Sequence, residues 1–108
     1  MGKINSKKKG ARGERAIAEI LREHGFTDAR RSAQYCGNTG DAADVVGLDG
    51  FHVEVKFQET TKIWDWIEQA EHDHKENTIP IVVFRKSRKK WQVCMDFETF
   101  LDLIKNGR

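Results

Sequence analysis

Proline and cysteine are scarce in this sequence, and long apolar segments are missing. Cys36 and Cys94 stand far apart and form no Cys-x-x-Cys pair, so neither a zinc knuckle nor a disulfide framework is indicated. No apolar run is long enough to span a bilayer, and no hydrophobic signal segment follows Met1. We therefore expect a cytoplasmic protein with reduced thiols and no membrane contact.

The 108 residues contain a single proline, no internal repeat and no low-complexity linker, so one domain is the simplest organisation. Apolar residues make up 38% of the chain and charged residues 33%, a balance typical of folded soluble proteins rather than disordered ones. We predict a flexible basic arm over residues 1–9 and one folded domain over residues 10–108.

The formal net charge of +2 conceals an uneven distribution of basic residues. Such clusters are typical of proteins that bind a polyanion, because phosphates provide affinity that does not depend on sequence. A solubilising tail and a charged loop would have the same composition. The predicted DNA contacts are Lys7, Lys8, Lys9, Arg12, Arg15, Arg30, Arg31, Arg85, Lys86, Arg88 and Lys89.

The centre of the chain, from Asp44 to Phe57, predicts a β-hairpin. Its second half alternates apolar and polar residues, the period of a strand with one apolar and one polar face. The apolar set is Phe51, Val53, Val55 and Phe57, and the polar set is His52, Glu54, Lys56 and Gln58.

The turn of this hairpin decides which residue lies opposite Asp44. A two-residue loop at Asp49-Gly50 would place Asp44 opposite Val55, with its carboxylate among apolar side chains. A three-residue loop that ends with Gly50 in the left-handed region places Asp44 opposite Glu54 instead. We predict the second register, because the first would bury a charge without a partner.

Two carboxylates and a lysine then share one face. Like charges directly opposite each other destabilise a strand pair unless a cation or another positive group neutralises them. Mg²⁺ prefers oxygen ligands and is commonly held by one or two carboxylates together with water and substrate phosphate. We therefore predict a Mg²⁺ site at Asp44 and Glu54, with Lys56 beside it.

Asp44, followed by Glu54-Val55-Lys56 on the next strand, resembles the PD-(D/E)XK nuclease superfamily. The chain is most similar to its small Holliday-junction resolvases and related phage-type endonucleases. Supporting matches are Glu14 in a basic first helix and Gln69 in the helix after the Glu-x-Lys strand.

One position departs from the family pattern. Ala43 stands where a proline often precedes the first aspartate, which leaves the choice between Asp41 and Asp44 open. We choose Asp44 because it adjoins the strand.

The resemblance implies an α/β fold with a restriction-endonuclease-like core, in which helices flank a central mixed β-sheet. It implies a homodimer of phage or prokaryotic context that hydrolyses DNA, with branched DNA preferred, and that uses Mg²⁺ with Mn²⁺ able to substitute. The implied catalytic residues are Glu14, Asp44, Glu54, Lys56 and Gln69, and the implied metal ligands are Asp44, Glu54 and the Val55 carbonyl.

Periodicity and capping signals predict the remaining elements. Trp64 and Trp66 are interpreted as packing residues. The predicted elements are a helix from Gly10 to a C-cap at Gly25, an exposed strand over Phe26–Ala33, a loop over Gln34–Ala43, a helix from an N-cap at Thr60 or Thr61 to Glu76, strands over Ile79–Phe84 and Trp91–Met95, and a final helix capped by Asp96 whose apolar side is Phe97, Phe100, Leu101 and Ile104.

Three alternatives stay open at this level. Glu14 could pair with a lysine or arginine, or it could join the metal cluster through water. Gln69 could bind water or phosphate, or it could be a solvated helix residue. The whole chain could also be a non-catalytic DNA-binding domain that uses its basic arm and loop, or an interaction domain without a nucleic-acid role.

Overall fold

The computed structural model describes residues 6–32 and 43–107. Residues 1–5 of the predicted arm lie outside the described residues, as do Cys36, Asp41 and most of the predicted loop. In chain order the elements are α1 (Ser6–Glu23), β1 (Arg30–Arg31), β2 (Val45–Val46), β3 (Phe51–Phe57), α2 (Ile63–Asp73), β4 (Ile79–Arg85), β5 (Gln92–Cys94) and α3 (Phe97–Gly107).

The strands form one mixed sheet in the order β1-β2-β3-β4-β5. β3 and β4 are parallel and the other neighbours are antiparallel. α2 makes the crossover that a parallel pair requires. α1 covers one face of the sheet, where Ile17 packs with Val55, and α2 covers the other, where Trp66 packs with Val82. The predicted α/β fold, with helices flanking a central mixed sheet, is confirmed.

The hairpin has the predicted register. Val45 lies opposite Val53, which is the pairing of the three-residue loop and continues to Asp44 opposite Glu54. Gly50 has a φ of 87°, in the left-handed region as expected. The turn is closed by the Phe51 N–H, which donates to the Leu48 carbonyl at 3.1 Å.

Gly47 directly follows β2 and lies against the backbone of Ala29, the residue before β1. Its φ is 106°, and a Cβ added there would come within 2.5 Å of the Ala29 Cα. We expect Gly47→Ala to lower the free energy of unfolding by about 3 kcal/mol or more, because both the dihedral and the close approach are unfavourable. Gly50→Ala is the matched control. It also has a positive φ but nothing within 4 Å, so it should cost about 1 kcal/mol. Urea unfolding followed by circular dichroism measures both, and equal costs would contradict the steric explanation.

α1 begins earlier than predicted. The expected start at Gly10 is wrong, because Ser6–Lys9, assigned to the arm, already form the first turn of the helix. Lys9 anchors this turn to the body of the protein. Its Nζ lies 2.6 Å from a Glu59 carboxylate oxygen and 4.7 Å from the centroid of the Phe57 ring.

α1 ends in a Schellman motif centred on Gly25, which confirms the predicted C-cap. Gly25 has a φ of 101°, its N–H donates to the Arg22 carbonyl, and the Phe26 N–H donates to the Leu21 carbonyl at 2.9 Å. The predicted strand over Phe26–Ala33 is too long. Phe26–Ala29 form a turn instead, and among the described residues of this segment only Arg30–Arg31 pair with β2.

α2 is shorter than predicted at both ends. It begins at Ile63, and neither Thr60 nor Thr61 is its N-cap. Glu59 accepts hydrogen bonds from Lys9 and Ser87, which holds the preceding segment against α1 and the β4–β5 loop.

The two tryptophans of α2 differ. Trp66 is 5% exposed and packs as predicted, whereas Trp64 is 72% exposed, so its interpretation as a packing residue is wrong. The stripe that faces the sheet passes through Trp66 and Ala70 and leaves Trp64 on the opposite side.

The C-terminal part of the chain follows the prediction closely. β4 and β5 fall within a residue or two of the expected bounds, and Asp96 caps α3, where its Oδ2 accepts the Thr99 N–H at 2.9 Å. The apolar side of α3 is exposed, however, and no residue of this helix is buried. None of the helices in the described ranges has the length and apolarity to cross a membrane.

Candidate active site

A cavity of about 750 Å³ opens beside the C-terminal half of β3. Helix α1, the residue before β2, strand β3 and helix α2 all contribute to its wall, so residues far apart in sequence meet there. All the predicted catalytic residues and the third predicted metal ligand line it: Glu14, Asp44, Glu54, Val55, Lys56 and Gln69.

Asp44 lies at the start of β2 with its carboxylate directed at the backbone of β3. Its Oδ2 accepts the Val55 N–H at 2.8 Å. Burial, together with the negative charges of Glu54 and Glu14, raises the pKa of Asp44 from 3.8 to about 7, against the opposing effects of the Val55 N–H and the Lys56 ammonium. The protein thus fixes the orientation of the Asp44 side chain and destabilises its ionised form relative to its protonated form.

Glu54 is almost completely enclosed, because α2 covers the polar face of β3. Its side chain is 3% exposed, and each carboxylate oxygen has an N–H donor. His52 Nε2 lies 3.0 Å from Oε1, and Gln69 Nε2 lies 3.1 Å from Oε2. The orientation of this carboxylate is therefore fixed from both sides.

Gln69 connects Glu54 to Lys56. While its amide nitrogen donates to Glu54, its Oε1 accepts from the Lys56 Nζ at 3.0 Å. These two contacts define which way the amide points and favour its role within the site over that of a solvated helix residue. Lys56 is thereby held on the same side of β3 as Glu54.

Glu14 pairs with an arginine, one of the two outcomes considered from sequence. Arg31 Nε donates to Glu14 Oε1 at 2.9 Å, with both side chains partly exposed. Glu14 is still close enough to raise the pKa of Asp44. It thus brings Arg31, a predicted DNA contact, to the edge of the cavity.

The donor set of this wall suits Mg²⁺. Two carboxylates and a main-chain carbonyl match an ion that keeps several waters and shares a substrate phosphate. Burial and the negative charges of Glu54 and Glu14 raise the pKa of Asp44, and a divalent cation bound there would favour its ionised form. Within residues 6–32 and 43–107, no three His, Cys, Asp or Glu side chains form a cage for a metal.

Three cationic side chains surround the ring of Phe57 at the end of β3. The charged groups of Arg85, Lys9 and Arg12 lie 4.6, 4.7 and 5.6 Å from its centroid, and Arg85 is also 5.4 Å from the ring of Trp91. These predicted DNA contacts are thus partly packed against aromatic rings. Lys9 and Phe57 both line the cavity, so positive charge is fixed at its edge.

The other predicted DNA contacts are distributed over exposed surface, except for Arg31 in its pair with Glu14. They lie on α1, on β1 and in the β4–β5 loop. The exposed set is Lys7, Lys8, Arg15, Arg30, Lys86, Arg88 and Lys89, and Arg12 is exposed as well.

Two side chains near the site were not predicted from sequence. His52 could have been found, because it shares the period-2 face of β3 with Glu54 and Lys56. Glu59 had no local signal, since its partners Lys9 and Ser87 are 50 and 28 residues away. Their hydrogen bonds lower the pKa of Glu59 to about 2.

Comparison with known proteins identifies the family. The sequence model of the family described as "Phage putative PDDEXK endonuclease" matches residues 5–107. Neither a curated protein nor a solved structure matches the chain. The family match covers nearly the whole sequence and includes every residue that lines the cavity. The chain therefore belongs to the phage family of PD-(D/E)XK endonucleases.

Proposed function

We propose that this protein is a Mg²⁺-dependent DNA endonuclease that prefers branched DNA, tolerates Mn²⁺ in place of Mg²⁺, and acts as a homodimer in the cytoplasm of a phage-infected or prokaryotic cell. The observation that carries the proposal is the convergence of Glu14, Asp44, Glu54, Lys56 and Gln69 on one cavity. These residues come from three separate elements and from the residue before β2, so no local pattern forces them together.

The acidic residues would hold the metal, with Asp44 and Glu54 supplying carboxylate oxygens and the Val55 carbonyl as the third protein ligand. Bound there, a divalent ion would lower the pKa of a water nucleophile and offset negative charge on the phosphate. The hydrogen bonds from His52 and Gln69 keep the Glu54 carboxylate oriented in the absence of the ion.

Lys56 and Gln69 act on the reacting groups. Lys56 orients the attacking water and offsets negative charge on the transition state. Gln69 holds the Lys56 ammonium next to Glu54. Attack on phosphorus with departure of the 3′ oxygen leaves a 5′-phosphate and a 3′-hydroxyl.

DNA binding is assigned to the basic surface that flanks the cavity. Lys9, Arg31 and Arg85 are fixed near its edge by protein partners, and the exposed lysines and arginines extend this surface on either side. Contacts of this kind are made to phosphates, so affinity should fall with salt and depend little on base sequence.

The test is cleavage of end-labelled DNA by the purified full chain, with a four-way junction and a linear duplex of the same arm sequences in parallel. We expect symmetric nicks in the junction with Mg²⁺ or Mn²⁺, and binding without cleavage in Ca²⁺. Equal cutting of both substrates would remove the preference for branches. Salt-sensitive binding without cutting in Mg²⁺ or Mn²⁺ would favour the non-catalytic DNA-binding domain, and failure to bind any DNA would contradict both.

A further inference from the structure

The apolar surface of α3 has no cover within the described protein. Of the eight large hydrophobic side chains that are exposed within residues 6–32 and 43–107, five lie on this one helix. In the same described ranges, α1 and α2 occupy the two faces of the sheet, and no residue of α3 belongs to the apolar clusters that they form with it. The five side chains, with their exposed fractions, are Phe97 (69%), Phe100 (43%), Leu101 (46%), Leu103 (37%) and Ile104 (60%).

The apolar area exposed on α3 is about what one subunit contributes to a small dimer interface. The exposed fractions correspond to roughly 450 Å² of apolar area, since large aromatic side chains present about 150–250 Å² each. Self-association through α3 would cover that area on both copies, about 1,000 Å² together with the flanks, which is near the lower bound for a specific interface.

We propose that α3 is the contact helix of a two-fold symmetric homodimer, in which the helices of the two copies pack antiparallel. Phe97, Phe100, Leu101 and Ile104 follow the i, i+3, i+4, i+7 spacing and form one stripe. An antiparallel partner brings Ile104 of one copy to Phe97 of the other. The assignment rests on the homodimer of the proposed function and names its contact surface.

The charges beside this stripe favour an antiparallel arrangement of two copies. Glu98 and Lys105 are seven residues apart, so they lie on the same flank near opposite ends of the helix. In an antiparallel pair each Glu98 faces a Lys105 of the other copy, which gives two equivalent ion pairs. A parallel pair would instead turn this flank toward the opposite flank of the other helix, so neither of these ion pairs would form.

The test is the oligomeric state of the full chain without DNA or metal, measured by sedimentation velocity between about 1 and 100 μM. Wild type is expected at twice the chain mass of 12.4 kDa. Glu98→Lys and Lys105→Glu should each weaken the dimer about 10-fold or more, because each variant opposes like charges twice. The double variant should restore it, and Asn106→Lys, an exposed position on the side of α3 opposite the apolar stripe, is the control.

Helix stability cannot produce the same pattern of results. Both single changes place the wrong sign of charge at an end of α3, and the double variant combines the two penalties. Restored dimerisation in the double variant therefore reports the contact between copies. A monomeric wild type at 100 μM, or a double variant no better than the singles, would overturn the proposal. Ile104→Asp provides a folded monomer for reference, since no part of α3 is buried, and this outcome is independent of DNA cleavage.

Discussion

Glu54→Gln is expected to reduce Mg²⁺-dependent DNA cleavage by about 10³-fold or more, which corresponds to roughly 4 kcal/mol in the activation free energy. The substitution preserves the size of the side chain but removes a carboxylate that would bind the ion. It also presents an amide NH₂ to one of the two N–H donors, His52 or Gln69, that now fix Glu54. Initial rates on a labelled junction measure the loss.

Binding and folding must be shown to persist in this variant. DNA affinity in Ca²⁺ should stay within about threefold of wild type, because affinity comes from the basic surface. Glu68→Gln is the matched control, since Glu68 is an exposed residue of the same α2 helix that does not line the cavity. Undiminished cleavage by Glu54→Gln would remove Glu54 from the site, and an equal loss in both variants would point to a general effect of lost charge.

The sequence predicted the register of the central hairpin and the helix caps correctly because their determinants are local. Turn chemistry at Gly50 and the cost of a carboxylate among apolar residues together fix the register that brings Asp44 opposite Glu54. The C-cap at Gly25 and the N-cap at Asp96 are likewise decided within a few residues. Such features need no knowledge of which elements pack together.

What the sequence could not show depends on packing between distant elements. The alternation in β3 marks a polar face, but only the position of α2 makes His52 and Glu54 nearly inaccessible. The first turn of α1, which begins at Ser6, is stabilised by contacts of Lys9 with Phe57 at the end of β3 and with Glu59 after it. Trp64 and Trp66 have equal local propensity, and the crossover helix buries only one of them. The amphipathic pattern of α3 indicates a buried side, but it does not say whether the same chain provides the cover.

Asp44→Asn is expected to abolish cleavage while making the metal-free protein more stable at neutral and alkaline pH. Burial and the charge of Glu54 raise the pKa of Asp44 from 3.8 to about 7, so ionisation of this side chain opposes folding. A raised folded-state pKa gives stability that is complete below about pH 4 and is lost as the pH rises to 7. The full shift corresponds to about 4 kcal/mol. Asparagine avoids this cost and keeps an oxygen for the Val55 N–H, and we expect a net gain on the order of 2 kcal/mol at pH 8.

The comparison between the two proteins isolates this titration. The difference in free energy of unfolding, measured by urea in a chelator, should be small at pH 4 and should grow up to about pH 7. The low pKa of Glu59 places its own titration below this window. Asp49→Asn, at an exposed position in the hairpin turn, is the control and should show no such growth.

Mg²⁺ should reverse the order of stability. Ion binding stabilises the folded wild type by mass action, by about 2.7 kcal/mol when the free ion is 100 times its dissociation constant. Asp44→Asn lacks one of the two carboxylates and should gain far less, so saturating Mg²⁺ at pH 8 should place wild type level with the variant or above it. If Mg²⁺ raises the free energy of unfolding of both proteins equally, Asp44 is not a ligand. If Asp44→Asn is less stable than wild type in chelator at pH 8, burial does not destabilise the Asp44 carboxylate. If wild type is less stable than Asp44→Asn in chelator but at least as stable in Mg²⁺, then Asp44 destabilises the metal-free protein and stabilises the metal-bound one.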